Sequence, residues 1–296
     1  MGALHIKRKT PVNTALIFDH CYQKVTEPVD YERFESLGFT LSSASAEHPY
    51  SLLSNFLFFG SPEAAVNGPT HYLEFCHIRD VAGELAYSRK SDPTAGERDL
   101  FVPGYSLRST TSLEACFAAN QAQWATLRPN LSHRNYDWIQ GGDEHRPGWN
   151  FLHFDGPVIP GVVVWLTEYE ATPRRHQARL DRIALAQHRN GVKAIGGFVF
   201  DLTDDDKNKL SLLTNSPWCD GVLTMHDGMK IFALRDCAVF GGLFSAKTLP
   251  FKAVILECPS LAHFCEVSGL RPLDGRRLVQ IASAQPESWD ILVTEP

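Results

Sequence analysis

Apolar residues in this chain come in short runs broken by turn residues, the pattern of strands and brief helices rather than of long helices. Ala15 to Val25, with aromatic and β-branched content, predicts a strand, and Asp30 to Leu37 a short helix ended by Gly38. Further strands are predicted at Phe39 to Ser43, Leu52 to Phe59 and Tyr72 to Ile78. Residues 80–103 are polar and read as an inserted connection. From Tyr105 the order restarts, with a strand at 105–110, a helix over Ser112 to Ala119, and strands near 149–155 and 161–170. Arg174 to His188 is basic, with helical spacing at Leu180, Ile183 and Leu185, and reads as a link between two halves. Beyond the Asn190-Gly191 turn come a strong strand, Val192 to Leu202, and a polar helix, Thr203 to Leu213. Strands follow at 221–224 and 229–235. A last unit has strand 251–258, helix 260–268 stopped by Gly269, and strands at 276–283 and 288–294. One plan of strand, helix and strands thus recurs four times, better formed in the first half.

Composition adds boundaries. The 296 residues are 44% hydrophobic and 21% charged, ordinary globular values, and that length suits two domains or one large one. A net charge of -6 predicts no bulk attraction to nucleic acid or to an anionic membrane. No run reaches transmembrane length, and the basic start has no apolar core of signal-peptide length. The seven cysteines form no CxxC pair and read as buried thiols in a reducing compartment, so a cytoplasmic location is expected.

Two apolar strands carry the candidate chemistry. Phe18-Asp19-His20-Cys21 and Tyr72-Leu73-Glu74-Phe75-Cys76 each place one divalent-metal ligand in the middle of a segment that ought to be buried. A buried carboxylate is costly unless paired, hydrogen-bonded or metal-bound, which makes His20 and Glu74 natural partners. Alternation puts His20 on one face with Phe18 and Tyr22, and Glu74 with Tyr72 and Cys76. Cys21 points away from His20, against a Cys-His nucleophile pair. Asp204-Asp205-Asp206 opens a helix, where the macrodipole favours acids. Asp143-Glu144-His145-Arg146 reads as a solvated turn. Arg174-Arg175-His176 offers an anion clamp, but a linker surface is the favoured account.

The plan and four motifs resemble the vicinal oxygen chelate superfamily, and within it the glyoxalase-like group. The motifs are Phe18-Asp19-His20, then Leu37-Gly38-Phe39, then His48-Pro49 leading to Ser54-Asn55-Phe56-Leu57-Phe58, and Tyr72-Leu73-Glu74-Phe75. His188-Arg189-Asn190-Gly191-Val192 resembles this group's junction to a C-terminal half. The resemblance implies an α+β fold of paired βαβββ modules in curved mixed sheets. It divides the chain into a tail (1–14), a glyoxalase-like domain (15–173, modules 15–80 and 104–170), a linker (174–190) and a degenerate second domain (191–296). It implies metal positions at His20 and Glu74, with Glu74 as general base and Glu168 a further ligand. His48, Asn55, Tyr72, Tyr22 and Trp165 are the implied substrate-binding residues.

One departure is plain. The strands expected to give the second ligand pair read Tyr105-Ser106-Leu107-Arg108-Ser109 and Val162 to Glu168, with Ser106 or Leu107 where a His is expected. His153 is a stray ligand candidate beside them. The resemblance therefore implies a divalent metal (Mg, Mn, Zn, Ni or Fe) acting as Lewis acid in a lyase or isomerase on a small metabolite. The alternative is a metal-free small-molecule binding protein with Tyr22, Tyr72, Trp149 and Trp165 as stacking surfaces. Ring-cleaving dioxygenase chemistry is less favoured, because it wants a second His. Expected partners are a small molecule and a second copy in a homodimer, with no nucleic acid and no membrane.

Overall fold

Strand periodicity builds two sheets. The structure, a computed structural model, describes residues 14–47, 51–60, 66, 68, 70–90, 93–135, 148–283 and 288–296. The first sheet contains β1 (Leu16–Val25), β2 (Ser45–Glu47), β3 (Leu52–Phe59), β4 (His71–Ile78), β5 (Gly104–Ser109), β6 (Pro129–Asn135), β7 (Gly148–Phe154) and β8 (Val163–Tyr169). Their order across the sheet is β2-β3-β4-β1-β5-β8-β7-β6. β1 and β5 pair antiparallel at the centre, and each runs parallel to the last strand of its own half, β4 or β8. With α1 (Tyr31–Ser36) after β1, the helix α2 (Val81–Ser88) between the halves, and α3 (Leu113–Asn120) after β5, each half is a βαβββ module.

The second sheet repeats the plan with one strand fewer among the described residues. It has β9 (Ala194–Phe200), β10 (Trp218–Cys219), β11 (Val222–Thr224), β12 (Lys230–Ala233), β13 (Phe251–Glu257), β14 (Leu278–Ile281) and β15 (Asp290–Thr294), in the order β10-β11-β12-β9-β13-β15-β14. The helix α4 (Pro173–Asp181) joins the sheets, α5 (Asp204–Thr214) follows β9, and α6 (Leu261–Ser268) follows β13. The expected α+β architecture of paired modules is the one observed.

Local chemistry explains the helix ends. Asp30, Ser112 and Ser260 cap α1, α3 and α6 by accepting a backbone N–H three residues on. Thr203 and Asp206 form a reciprocal capping box at α5, while Asp204 and Asp205 pair with Lys207 and Lys209. Gly269 closes α6 at a φ of 71°, a conformation glycine adopts without strain. Two stretches differ from expectation. Residues 39–44 are not a strand, because Phe39 is drawn into the core and Asn55 holds the Ser42 carbonyl. The polar connection at 80–103 contains α2, capped by Asp80 and anchored through a fully buried Glu84.

The two sheets pack face to face over one core. Phe18 lies 4.6 Å from Phe198 between ring centroids, Tyr105 4.9 Å from Phe198, and Phe75 5.6 Å from Trp289. The segment at 188–192 works as the joint. Asn190 Nδ2 donates to the Leu37 carbonyl at 2.8 Å, Asn190 N to Gly38 O at 3.2 Å, and Thr40 N to His188 Nδ1 at 3.1 Å. Gly38 has a φ of 79°, and a Cβ there would lie 2.6 Å from Val267 Cγ1. The far face of the second sheet is filled by its own chain: Phe240 and Phe244 cover Val199, Ala253, Ile255 and Leu292.

Candidate functional site

β1 does not alternate cleanly. In its pairing with β5, Phe18 stands opposite Leu107 and His20 opposite Ser106, which leaves Asp19 as the extra residue of a β-bulge. The expectation that Phe18 and His20 share a face is therefore corrected. Phe18 enters the core between the sheets, while Asp19 and His20 both line a cleft on the other side. Cys21 turns away from His20 as expected, and burial raises its thiol pKa well above the ordinary value.

The bulge creates a hydrogen-bonded pair. His20 Nδ1 lies 2.5 Å from Asp19 Oδ2. The same oxygen accepts from Tyr169 Oη at 2.8 Å, and Tyr72 Oη lies 3.0 Å from Tyr169 Oη. Since Tyr169 spends its proton on Asp19, Tyr72 is the donor to Tyr169. Burial first, with the Asp19 carboxylate adding to it, holds both phenols well above their usual range, so both remain donors at neutral pH. The His20 ring is stacked on Tyr72 at 4.5 Å and meets Trp165 edge-on at 5.3 Å. Nδ1 is committed to Asp19, and Nε2 is the ring nitrogen left for a ligand.

Glu74 lies on the neighbouring strand, opposite Tyr22 in the β1·β4 pairing. Its Oε1 accepts from Ser54 Oγ at 2.7 Å and from Cys76 Sγ at 3.4 Å. The positions of the second pair hold neutral groups. Ser106 and Thr167 hydrogen-bond each other at 3.0 Å, and Trp165 Nε1 donates to Thr167 Oγ1 at 2.8 Å. Glu168, expected as a ligand, borders the cleft, but it alternates away from Thr167 and its carboxylate accepts from Asn150 Nδ2 at 2.9 Å. No three His, Cys, Asp or Glu among the described residues come close enough together to hold an ion. Two ligands short of a third do not fit a tight transition-metal site.

The cleft has a volume of about 840 Å³, a small-organic-molecule size. Tyr22, Tyr72 and Trp165 line it, together with Trp149 and Phe56. His153 lines it too, stacked on Phe151 at 5.7 Å. Asn55 does not belong to it. Alternation turns Phe56 and Phe58 to the cleft, and Asn55 Nδ2 is used by the Ser42 carbonyl and the Tyr31 hydroxyl. His48 and the Asp143 to Arg146 run lie outside the described residues. Gly104 lets the wall close, since a Cβ there would lie 2.1 Å from Tyr22 Cε1 and 2.6 Å from Trp165 Cζ3. Gly104→Ala is expected to displace both rings and cost about 1–3 kcal/mol in urea unfolding. A change within experimental error would show that the rings yield freely.

The helical spacing read over Arg174 to His188 corresponds to α4, but the linker-surface account favoured for Arg174-Arg175-His176 is corrected: Arg175, His176, Arg179 and Arg182 line the cleft. The signal was there. Thr172 caps α4, Pro173 occupies its first turn, and the spacing of Arg175, Arg179 and Arg182 places all three on one helical face. Arg182 lies over the Phe58 ring at 4.9 Å.

A β1–β5 seam flanked by parallel last strands, repeated in a second sheet, decides the fold class. It is the α+β architecture of paired βαβββ modules. No family model matches the sequence, and no curated protein does. Among solved structures the chain is similar to a catechol 2,3-dioxygenase, at 9% identity and a TM-score of 0.48, over 94% of this chain and 87% of that one. It is also similar to a methylmalonyl-CoA epimerase from Mycobacterium tuberculosis, at 17% identity and a TM-score of 0.27, over 58% of this chain and 97% of that one. A glyoxalase I mutant from Zea mays matches at 9% identity and a TM-score of 0.28, over 96% and 93% of the two chains. Likenesses at this level say nothing of activity. No helix among the described residues is long and apolar enough to cross a membrane.

Proposed function

We propose that the cleft of the first sheet takes up a small organic molecule with a planar face and moves a proton on it with the Asp19–His20 pair. The reaction class is that of an isomerase or lyase working by general acid–base chemistry on side chains alone. The bulge at Asp19 carries this reading, because it turns a carboxylate and an imidazole onto one face and joins them at 2.5 Å. Asp19 orients the ring, and Nε2 takes or returns the proton. Tyr72 and Trp165 fix the ring and stack the ligand. Glu74, already holding two donors, is an acceptor for a polar substituent rather than the base. The Ser106–Thr167 hydrogen bond, at the positions of the second ligand pair, favours this over the metal-assisted route. The aromatic walls favour a second reading, sequestration of a planar molecule without turnover.

Exchange of carbon-bound hydrogen for deuterium in phenylpyruvate and phenylacetaldehyde, followed by proton NMR in D₂O, tests the proposal. Exchange should exceed the buffer rate and survive EDTA. It should fall by about a hundredfold or more in His20→Ala. Exchange that EDTA abolishes and one divalent metal restores would reinstate the metal-assisted reading. Saturable binding of both compounds without exchange would favour sequestration.

A further inference from the structure

The helix α4 brings into the cleft a guanidinium whose fork makes no hydrogen bond among the described residues. The Arg175 guanidinium lies 4.6 Å from the Trp149 ring centroid and 5.1 Å from that of Tyr169. Both of its Nη atoms are buried, and neither has a hydrogen-bond partner among the described residues. Arg108 Nε and Thr70 Oγ1, on residues of the same cleft, are likewise buried without partners. An arginine stays charged, and a buried charge with no acceptor is costly. Of the cleft's carboxylates, Asp19 Oδ2 is engaged by His20 and Tyr169, Glu74 Oε1 by Ser54 and Cys76, and Glu168 by Asn150, while Glu170 supports the Arg175 charge without a hydrogen bond to its fork. The chain as a whole carries a net charge of -6, so this cationic end is a local arrangement and not a general excess.

The two Nη groups of a guanidinium form a planar fork that matches a carboxylate with two parallel N–H···O bonds. Stacking against Trp149 and Tyr169 fixes the plane of that fork. Tyr169 also ties it to the chemistry, since its ring touches Arg175 and its hydroxyl reaches Asp19. We infer that the ligand of the cleft is a small organic acid with a planar body, its carboxylate received by Arg175 Nη1 and Nη2. The acid end then lies toward α4, and the planar body lies among the aromatic walls beside the Asp19–His20 pair. This rests on the reading of the first sheet's cleft as a small-molecule site.

Titration of the full-length protein with 1-naphthoate and with its neutral counterpart 1-naphthamide, read by tryptophan fluorescence, tests it. Naphthoate is expected to bind at least tenfold more tightly than the amide. Arg175→Gln should weaken naphthoate by about ten- to a hundredfold and leave the amide unchanged. Arg175→Lys, which keeps the charge without the fork, should recover only part of the loss. Equal binding of acid and amide overturns the acid proposal and leaves the cleft reading standing. So does undiminished naphthoate binding by an Arg175→Gln protein whose circular dichroism is that of the wild type. Tighter binding of 1-naphthyl phosphate than of naphthoate would replace the carboxylate by a phosphate and overturn the assignment. If none of the three compounds binds, the cleft reading itself falls, and the proposal with it.

Discussion

Acidification from pH 7 to pH 4 is expected to remove about 3 kcal/mol of stability through His188 alone. His188 sits at the joint between the sheets, 5% exposed, packed against the rings of Phe39 and Phe59. Its Nδ1 accepts from Thr40 N at 3.1 Å, so the proton is on Nε2, which donates to the Phe58 carbonyl at 3.0 Å. A second proton has no acceptor. Burial pulls the imidazole from 6.5 to about 4, with Lys193 adding to the effect and the Phe58 carbonyl opposing it. Between those values the unfolded chain binds the proton and the folded chain does not. Stability from this group is therefore full above pH 6.5 and drains away as the pH falls toward 4. Urea unfolding at pH 7, 5.5 and 4 should give a steep fall for the wild type and a flatter one for His188→Gln. Parallel curves would remove His188 from the account.

Glu84→Ala is expected to cost about 3–5 kcal/mol, the price of leaving a partly buried ammonium unpaired. Glu84 is 0% exposed; its Oε1 accepts from Lys24 Nζ at 3.0 Å and its Oε2 from Ser51 Oγ at 2.8 Å. The three residues tie α2 to β1 and to the start of β3, at the end of the cleft that Lys24 lines. Pairing the change with Lys24→Met removes the stranded charge and should recover most of the loss, a strong coupling in a double-mutant cycle. Thermal unfolding of the two single variants and the double variant measures it. Additive losses would mean that the pair does not act as a unit.

The paired-module fold was legible because its signals are local and periodic. Short apolar runs rich in aromatic and β-branched residues mark β1, β3, β4 and β9 as strands, and Gly269 ends a helix through its own backbone. Of the site, Tyr22, Tyr72 and Trp165 were legible as residues of strands bordering a common cleft. The Asp19–His20 pair was not. A bulge is a property of two strands in register, and nothing within Phe18 to Cys21 announces that one residue has slipped. Glu168 reaches the border of the cleft, but a period of two from Trp165 gives Thr167 the inward position and leaves Glu168 to Asn150. Asn55 failed similarly, since its neighbours Phe56 and Phe58 claim the cleft face. Arg175 was legible as part of an anion clamp but also as linker surface, and only the aromatic rings beneath it separate the two.

The second sheet, with its far face closed over by Phe240 and Phe244, still reaches the first sheet at the bulge. Asp227, on the turn before β12, accepts from Phe18 N with Oδ2 at 2.8 Å while its Oδ1 accepts from Met229 N at 3.1 Å. The kink that gives β1 its two polar neighbours is thus braced from a point more than two hundred positions along the chain. A repeat whose own hollow is filled here serves as scaffolding for the hollow that stays open. Substitutions on that turn, distant in sequence from the cleft residues, would accordingly loosen the Asp19–His20 pair by loosening the brace.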